Sequence, residues 1–366
     1  MSIMDRLIKT SKIDEVELLS KSNFMDKTET PTPIPMINVA LSGSMDGGLK
    51  SGMTVLAGPS KHFKTTFALL MLKSYLDTHK DAICLFYDSE FGASDDYFES
   101  FDIDTSRVIH SPIKNVEELK FDIVNQLEEI KRTDNVFILI DSIGNLASKK
   151  EIQDAKDENS VADMTRAKQI KSLFRITTPY LTMLDIPMVA VAHTYDTQEK
   201  FSKKVVSGGT GITYSADTVW VIGRSQNKEG KDVIGYDFNI NIEKGRYVQE
   251  KSKIPISVSF EGGMNKYSGM LDLAVEMGYV LKPKVGWYTR VLPDKDGVVK
   301  EDKNWRAKET SVEEFWKPIL EETDFKEAVE RKYKIANIKM IEVEPSTPKN
   351  EVEESKVSKK EKGKKS

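Results

Sequence analysis

The sequence predicts an α/β fold, with a mostly parallel central sheet covered by helices on both faces. Three observations lead there. Near-continuous apolar runs at 54–57, 82–88, 136–141, 188–193 and 218–223 alternate with stretches of helical periodicity, the pattern of strands buried on both faces. Four of these runs end in polar, chemically capable residues. In a parallel sheet all such ends share one edge, where ligands bind. The first run enters Gly58-Pro59-Ser60-Lys61-His62-Phe63-Lys64-Thr65-Thr66 and then a helical pattern. That is the layout of a phosphate-binding P-loop: backbone N–H groups and a helix N-terminus face an anion that a lysine neutralises.

Bulk properties set the class. The chain has 366 residues, 39% hydrophobic and 31% charged, enough for a large core and unlike a disordered chain. No apolar run approaches membrane-spanning length. The opening Met1-Ser2-Ile3-Met4-Asp5-Arg6 lacks the apolar stretch of a signal peptide. The single cysteine, Cys84, allows no internal disulfide, so a reducing, cytoplasmic setting is expected. A net charge of −4 argues against nucleic-acid binding over the whole surface but not against a local basic groove.

Taken in order, residues 1–20 place Ile3, Met4, Leu7, Ile8, Ile13, Val16 and Leu19 at helical spacing. A Pro/Thr linker over 28–35 should be extended. Together, 1–35 form an N-terminal helix plus linker that either covers its own core or docks on a neighbouring copy. Residues 36–265 hold the main core. Two more strands near 236–243 and 254–259, with no helix between them, suggest an antiparallel extension. Residues 266–342, with short helical patterns, the Trp287-Tyr288 pair and Trp305, read as a small C-terminal domain. The Pro-, Glu- and Lys-rich stretch 343–366 reads as a disordered tail.

The strand ends suggest chemistry. A carboxylate after four apolar strand residues, Asp141, would hold Mg²⁺ with Thr65, leaving Glu90 to orient and polarise a water. Each has a plainer alternative. Strand-terminal acids also cap helices, a histidine such as His193 often just ends a strand, and Lys64 could be solvated. Phe63 stands where the usual motif has its second glycine, and a non-glycine residue at positive φ costs roughly 1–2 kcal/mol.

The motifs Gly58–Thr66, Phe86-Tyr87-Asp88-Ser89-Glu90, Ile140-Asp141-Ser142, Ala192-His193-Thr194 and Gly208-Gly209-Thr210-Gly211 occur in the order and spacing of RecA-type recombinases. Over nearly all of the chain up to about residue 340 it resembles that family, and most of all the branch carried by T-even-like bacteriophages, where the Phe63 variant is also the pattern. Its lysine-ended tail differs from that branch's mainly acidic tails.

The resemblance implies a RecA-type P-loop ATPase core that uses ATP and Mg²⁺, polymerises on single-stranded DNA as a helical filament and exchanges strands with double-stranded DNA. A single-stranded-DNA-binding protein and a recombination mediator are implied as helpers. By position, Glu90 resembles the water-activating glutamate, Tyr97 the aromatic that stacks on adenine, and His193 the γ-phosphate sensor. Lys244 and Arg246 fall where the family supplies cations to ATP on the adjacent protomer. Two DNA loops are implied at about 148–161 and 194–210, both long for α/β connections. The first carries Lys149 and Lys150 and is followed by Arg166, Lys168, Lys171 and Arg175. The second carries Lys200, Phe201, Lys203 and Lys204, then Gly208 and Gly209. Cations can neutralise phosphates and an aromatic can stack on bases. A RecA-like hexameric helicase motor, a P-loop kinase and a catalytically weak binding paralogue are the competing readings.

Overall fold

The P-loop strand β1 (Gly52–Gly58) is buried along its whole length, as its run of apolar residues requires, and it occupies the middle of the sheet. This computed structural model describes residues 1–24, 26–158, 164–197, 204–294 and 297–335. The remaining strands of the main sheet are β2 (Ile83–Asp88), β3 (Val108–Pro112), β4 (Val136–Asp141), β5 (Pro187–Asp196), β6 (Lys204–Val206), β7 (Thr218–Glu229), β8 (Asp232–Gly245), β9 (Lys253–Ser259) and β10 (Gly263–Met264). Their order is β10-β9-β8-β7-β1-β5-β4-β2-β3, with β6 paired to β5. Neighbours from β7 through β3 run parallel. Neighbours from β7 through β10 are antiparallel, as expected for two strands that lack an intervening helix.

The helices are α1 (Ile3–Thr10), α2 (Pro35–Ser42), α3 (Lys64–Thr78), α4 (Asp95–Glu99), α5 (Val116–Glu129), α6 (Lys149–Lys156), α7 (Thr165–Met183), α8 (Thr210–Ser215), α9 (Met270–Glu276), α10 (Glu313–Glu322) and α11 (Phe325–Tyr333). Period-2 alternation divides each central strand between two cores. In β4, Phe137 and Leu139 face α2 and α3, whereas Ile138 and Ile140 face α5 and α7. Residues of α9, α10 and α11, among them Met270, Trp316 and Phe325, join the first of these cores.

Several expectations need correction. The N-terminal helix stops at Thr10. Ser2 and Asp5 close its N-terminus as a capping box, but Ile13, Val16 and Leu19 lie outside any helix. The segment expected as a first DNA loop is largely helix α6, started by a Ser148–Glu151 capping box. The fourth core strand does not end at His193. β5 continues to Asp196 and turns back as a hairpin onto β6. Edge strand β3 was not anticipated. Among its described residues the C-terminal segment contains, besides α9, α10 and α11, a four-stranded sheet of β11 (Val280–Lys284), β12 (Trp287–Asp294), β13 (Gly297–Lys300) and β14 (Trp305–Arg306). Lys200, Phe201 and Lys203, and the tail 343–366, lie outside the described residues. Among the described residues no helix is long and apolar enough to cross a membrane.

Candidate functional site

The P-loop turns through two positive-φ residues, Lys61 at +61° and Phe63 at +56°. Phe63 is the N-cap of α3 in the left-handed region. Its ring packs 4.8 Å from that of Phe238 and 6.3 Å from that of Tyr236. The residue that replaces glycine is therefore strained in its backbone and held by its side chain. The α3 N-terminus behind it is the anion-favouring end of a helix dipole.

Lys64 opens α3 with its side chain folded back, Nζ donating to the Pro59 carbonyl at 2.9 Å. It is buried, not solvated. Burial pulls its pKa below the ordinary lysine value, and the Glu90 and Asp141 carboxylates oppose that shift. Thr65 Oγ1 donates to Asp141 Oδ2 at 2.6 Å. The second oxygen of Asp141, Oδ1, is buried and has no protein partner. Burial pushes this carboxyl up to about 6, with the Thr65 bond opposing and Glu90 and Asp88 adding to the rise. A hydroxyl and a carboxylate with an open oxygen, beside a phosphate loop, suit a small hard cation that takes its other ligands from phosphate and water. Thr66 Oγ1 and the Tyr97 hydroxyl, on α4, lie 2.8 Å apart.

Glu90 lies two residues beyond β2. Its Oε1 accepts from His193 Nε2 at 2.7 Å, from Ser142 Oγ at 2.5 Å and from Asn145 Nδ2 at 3.1 Å. The turn carrying it is fixed by Asp88, whose Oδ1 accepts from the backbone N–H groups of Glu90 and Phe91 and whose Oδ2 contacts His110 on β3. His193 in turn exchanges bonds with Ser207 at the end of the β5–β6 hairpin. P-loop residues 60–66, Glu90, Tyr97, Asp141 and His193 all line one cavity of about 970 Å³, the size of a small-molecule site.

Lys244 and Arg246 lie elsewhere in the protomer. The end of β8 pairs with Thr218, and Thr218 with Thr54. This puts both residues at the opposite end of the strands from Gly58. Lys244 Nζ donates to the Thr213 and Tyr214 carbonyls at 3.0 and 2.9 Å, and Arg246 Nε pairs with Asp217 Oδ1 at 2.8 Å.

On α7, Lys168, Lys171 and Arg175 are exposed, as are Lys149 and Lys150 on α6. Lys150 pairs with Asp154 one turn away, and Lys204 lies 3.5 Å from Asp196 across the hairpin. Gly208 and Gly209 both have positive φ and lead into α8. Arg166 has a different task from its basic neighbours. Its guanidinium donates to the Ile143, Gly144 and Leu146 carbonyls and so braces the loop that follows Asp141. Sequence reasoning missed this brace. It also missed Arg224, which donates to the Lys61 carbonyl at 2.8 Å while its guanidinium lies over the Tyr236 ring, and the Ser142 and Asn145 donors to Glu90.

Comparison with known proteins agrees with this geometry. Residues 16–265 match the family model described as the RecA N-terminal domain. Residues 267–329 match the C-terminal domain of the bacteriophage T4 recombination and repair protein. The chain is 51% identical over 345 residues to the "Recombination and repair protein" of Enterobacteria phage T4, covering 93% of this chain and 88% of that one. It is 24% identical over 309 residues to "Protein RecA" of Nocardia farcinica, 82% of each chain. It is 25% identical over 274 residues to that of Streptomyces coelicolor, 72% of this chain and 70% of the other. The chain belongs to the RecA family.

Proposed function

We propose that this protein is an ATP-dependent DNA strand-exchange recombinase that forms filaments on single-stranded DNA and pairs it with homologous duplex. The observation that carries the reading is the convergence, in one cavity at the strand ends, of a buried lysine on a P-loop, a Thr65–Asp141 pair with an open carboxylate oxygen, and the Glu90–His193 contact. The 51% identity to a phage recombination and repair protein supports strand exchange over the helicase, kinase and weak-paralogue readings.

ATP lies with its phosphates on residues 58–66 and its base toward Tyr97. Lys64 leaves the Pro59 carbonyl for phosphate oxygens. Thr65 and Asp141 would hold Mg²⁺, which would neutralise charge on the phosphates. Glu90, held by three donors, positions the attacking water and accepts its proton. His193 reports occupancy to the hairpin through its bonds to Ser207. Lys244 and Arg246 act on the nucleotide of an adjacent protomer. Their place at the far edge of their own sheet supports a role in trans, since they cannot reach their own P-loop. DNA runs along Lys149, Lys150, Lys168, Lys171, Arg175 and Lys204 and over Gly208-Gly209, with backbone-directed contacts that take any sequence.

The division of labour follows the chain: 1–35 for protomer contacts, 36–265 for ATP and DNA, 266–342 as an appended domain and 343–366 as a tail. Helix α1 buries none of its residues on its own chain, and the two family matches meet near residue 266; both support that division. A recombinase of this kind works beside single-stranded-DNA-binding and mediator proteins in the cytoplasm of an infected host.

The test is ATP hydrolysis with and without single-stranded DNA, with electron micrographs of the same samples. DNA-stimulated turnover on long helical filaments is expected. Closed rings that unwind duplex, or turnover indifferent to DNA, would overturn the reading.

A further inference from the structure

Asp217 joins groups that the proposed reaction needs at different sites. It is nearly buried, its side chain 9% exposed, while Arg246 beside it is 56% exposed. Oδ1 accepts from Arg246 Nε at 2.8 Å, and Oδ2 accepts from the Met53 N–H at 3.0 Å. The backbone is tied at the same place: Asp217 N–H donates to the Met53 carbonyl, and Arg246 N–H donates to the Asp217 carbonyl. Gly52 makes room for this. It has φ +107°, and a Cβ there would come within 2.1 Å of Asp217 Oδ2.

Lys27, from the segment preceding the linker, donates to the Ser51 carbonyl at 3.0 Å. It lies in electrostatic reach of both Asp217 and Arg246, as does Lys244. Three cations therefore surround one buried carboxylate. Without it, Lys244 and Arg246 would repel each other, and a long exposed arginine would sample many rotamers. The carboxylate holds the guanidinium by its inner nitrogen, and the Tyr247 side chain is a second hydrogen-bond partner of Arg246. The carboxylate is itself fixed to the start of β1, whose other end is the protomer's own P-loop.

We infer that Asp217 is a positioning residue that pre-orients Arg246 for the nucleotide of the adjacent protomer. This rests on the in-trans role of Arg246 given above. Pre-orientation lowers the ordering cost of each protomer contact, so its loss falls on turnover in the filament and not on nucleotide binding by single protomers.

The experiment uses full-length Asp217→Asn, Arg246→Ala and Lys64→Ala chains, alone and mixed, with phosphate release measured on saturating single-stranded DNA. Asp217→Asn alone is expected to lose about tenfold in kcat with the KM for ATP unchanged. Mixed with Lys64→Ala it should hydrolyse faster than the sum of the two alone, because its intact P-loop then faces a correctly held Arg246 from its neighbour. A misfolded or merely destabilised chain would not be rescued in this way. Should Asp217→Asn melt below the assay temperature, Asp217→Ser, which keeps an acceptor for the Met53 N–H, replaces it. Full-rate Asp217→Asn, or a loss that mixing does not recover, overturns the inference. If Arg246→Ala itself keeps the full rate, the in-trans reading fails as well.

Discussion

His193 Nε2 lies 2.7 Å from Glu90 Oε1, although His193 is on β5 and Glu90 just beyond β2, with β4 between those strands. His193 is also bonded through its backbone to Ser207, at the base of the β5–β6 hairpin that carries Lys204. One residue thus touches, through its side chain, the carboxylate suited to hold a water and, through its backbone, the element suited to sense DNA. Any change that moves the imidazole should uncouple the two.

Gly144→Ala tests that coupling without altering either partner. A Cβ at Gly144 would meet His193 Cδ2 at 2.6 Å, Ser207 Oγ at 3.0 Å and His193 N at 3.2 Å. The backbone at Gly144 needs no positive φ, so the substitution acts by displacing the ring and crowding the Ser207 hydroxyl that bonds the His193 backbone. ATP binding should persist, while the stimulation of hydrolysis by single-stranded DNA falls by about tenfold or more. Phosphate release with and without DNA measures it; undiminished stimulation would show that the ring position does not matter.

Glu90→Gln should leave ATP-dependent DNA binding in place and lower turnover by about 10²–10⁴, the span of general acid–base contributions. The amide keeps an oxygen for His193 and Asn145 but cannot take a proton. Fluorescence anisotropy of labelled single-stranded DNA and steady-state phosphate release separate the two effects. Lys64→Ala should instead weaken nucleotide binding.

Asp141 carries a pH signature. Its folded pKa is raised to about 6 by burial, with further contributions from neighbouring carboxylates, against about 3.9 in an unfolded chain. A raised folded pKa means that folding favours the neutral acid. That contribution is complete below about pH 4 and is lost as pH rises through about 6. Without metal, Asp141→Asn should therefore melt above the parent protein at pH 7.5, by up to about 3 kcal/mol. The difference should close as pH falls to 4. With ATP and Mg²⁺ the order should reverse at pH 7.5, because the variant offers no charged oxygen. Thermal melts at the two pH values, with and without ligand, check both signs.

Much of this site was legible because parallel sheets collect strand ends at one edge. Once 54–57, 82–88, 136–141 and 188–193 are read as strands, Lys64, Glu90, Asp141 and His193 must come together. What was not legible had weaker local signals. Strand β3 is short and mostly exposed or half-buried, so it has neither a clean alternation nor a continuous apolar run. Ile13, Val16 and Leu19 share the spacing of a helix, but periodicity alone does not supply the packing that sustains one. Arg166 reads as one more cation of a basic run, and only the path of the chain after Asp141 reveals three carbonyls waiting for it. Asp217 and Arg246 are 29 residues apart in sequence and meet through the β7–β8 register, which hydrophobic pattern does not encode.

Phe63 allows a prediction about the order of stabilities. Its left-handed backbone, φ +56° and ψ +25°, disfavours any residue with a Cβ by about 1–2 kcal/mol. Its ring, against Phe238 and Tyr236, returns about 2 kcal/mol or more of apolar contact. Phe63→Ala keeps the backbone strain and discards the ring, so it should lose about 2–3 kcal/mol. Phe63→Gly discards the ring but also relieves the strain, and should be the more stable of the two by about 1 kcal/mol. Urea unfolding of the three proteins should rank them Phe, Gly, Ala. An alanine variant at least as stable as the glycine one would mean that the left-handed turn is not maintained once the ring is gone, and that the aromatic contact is what shapes this phosphate loop.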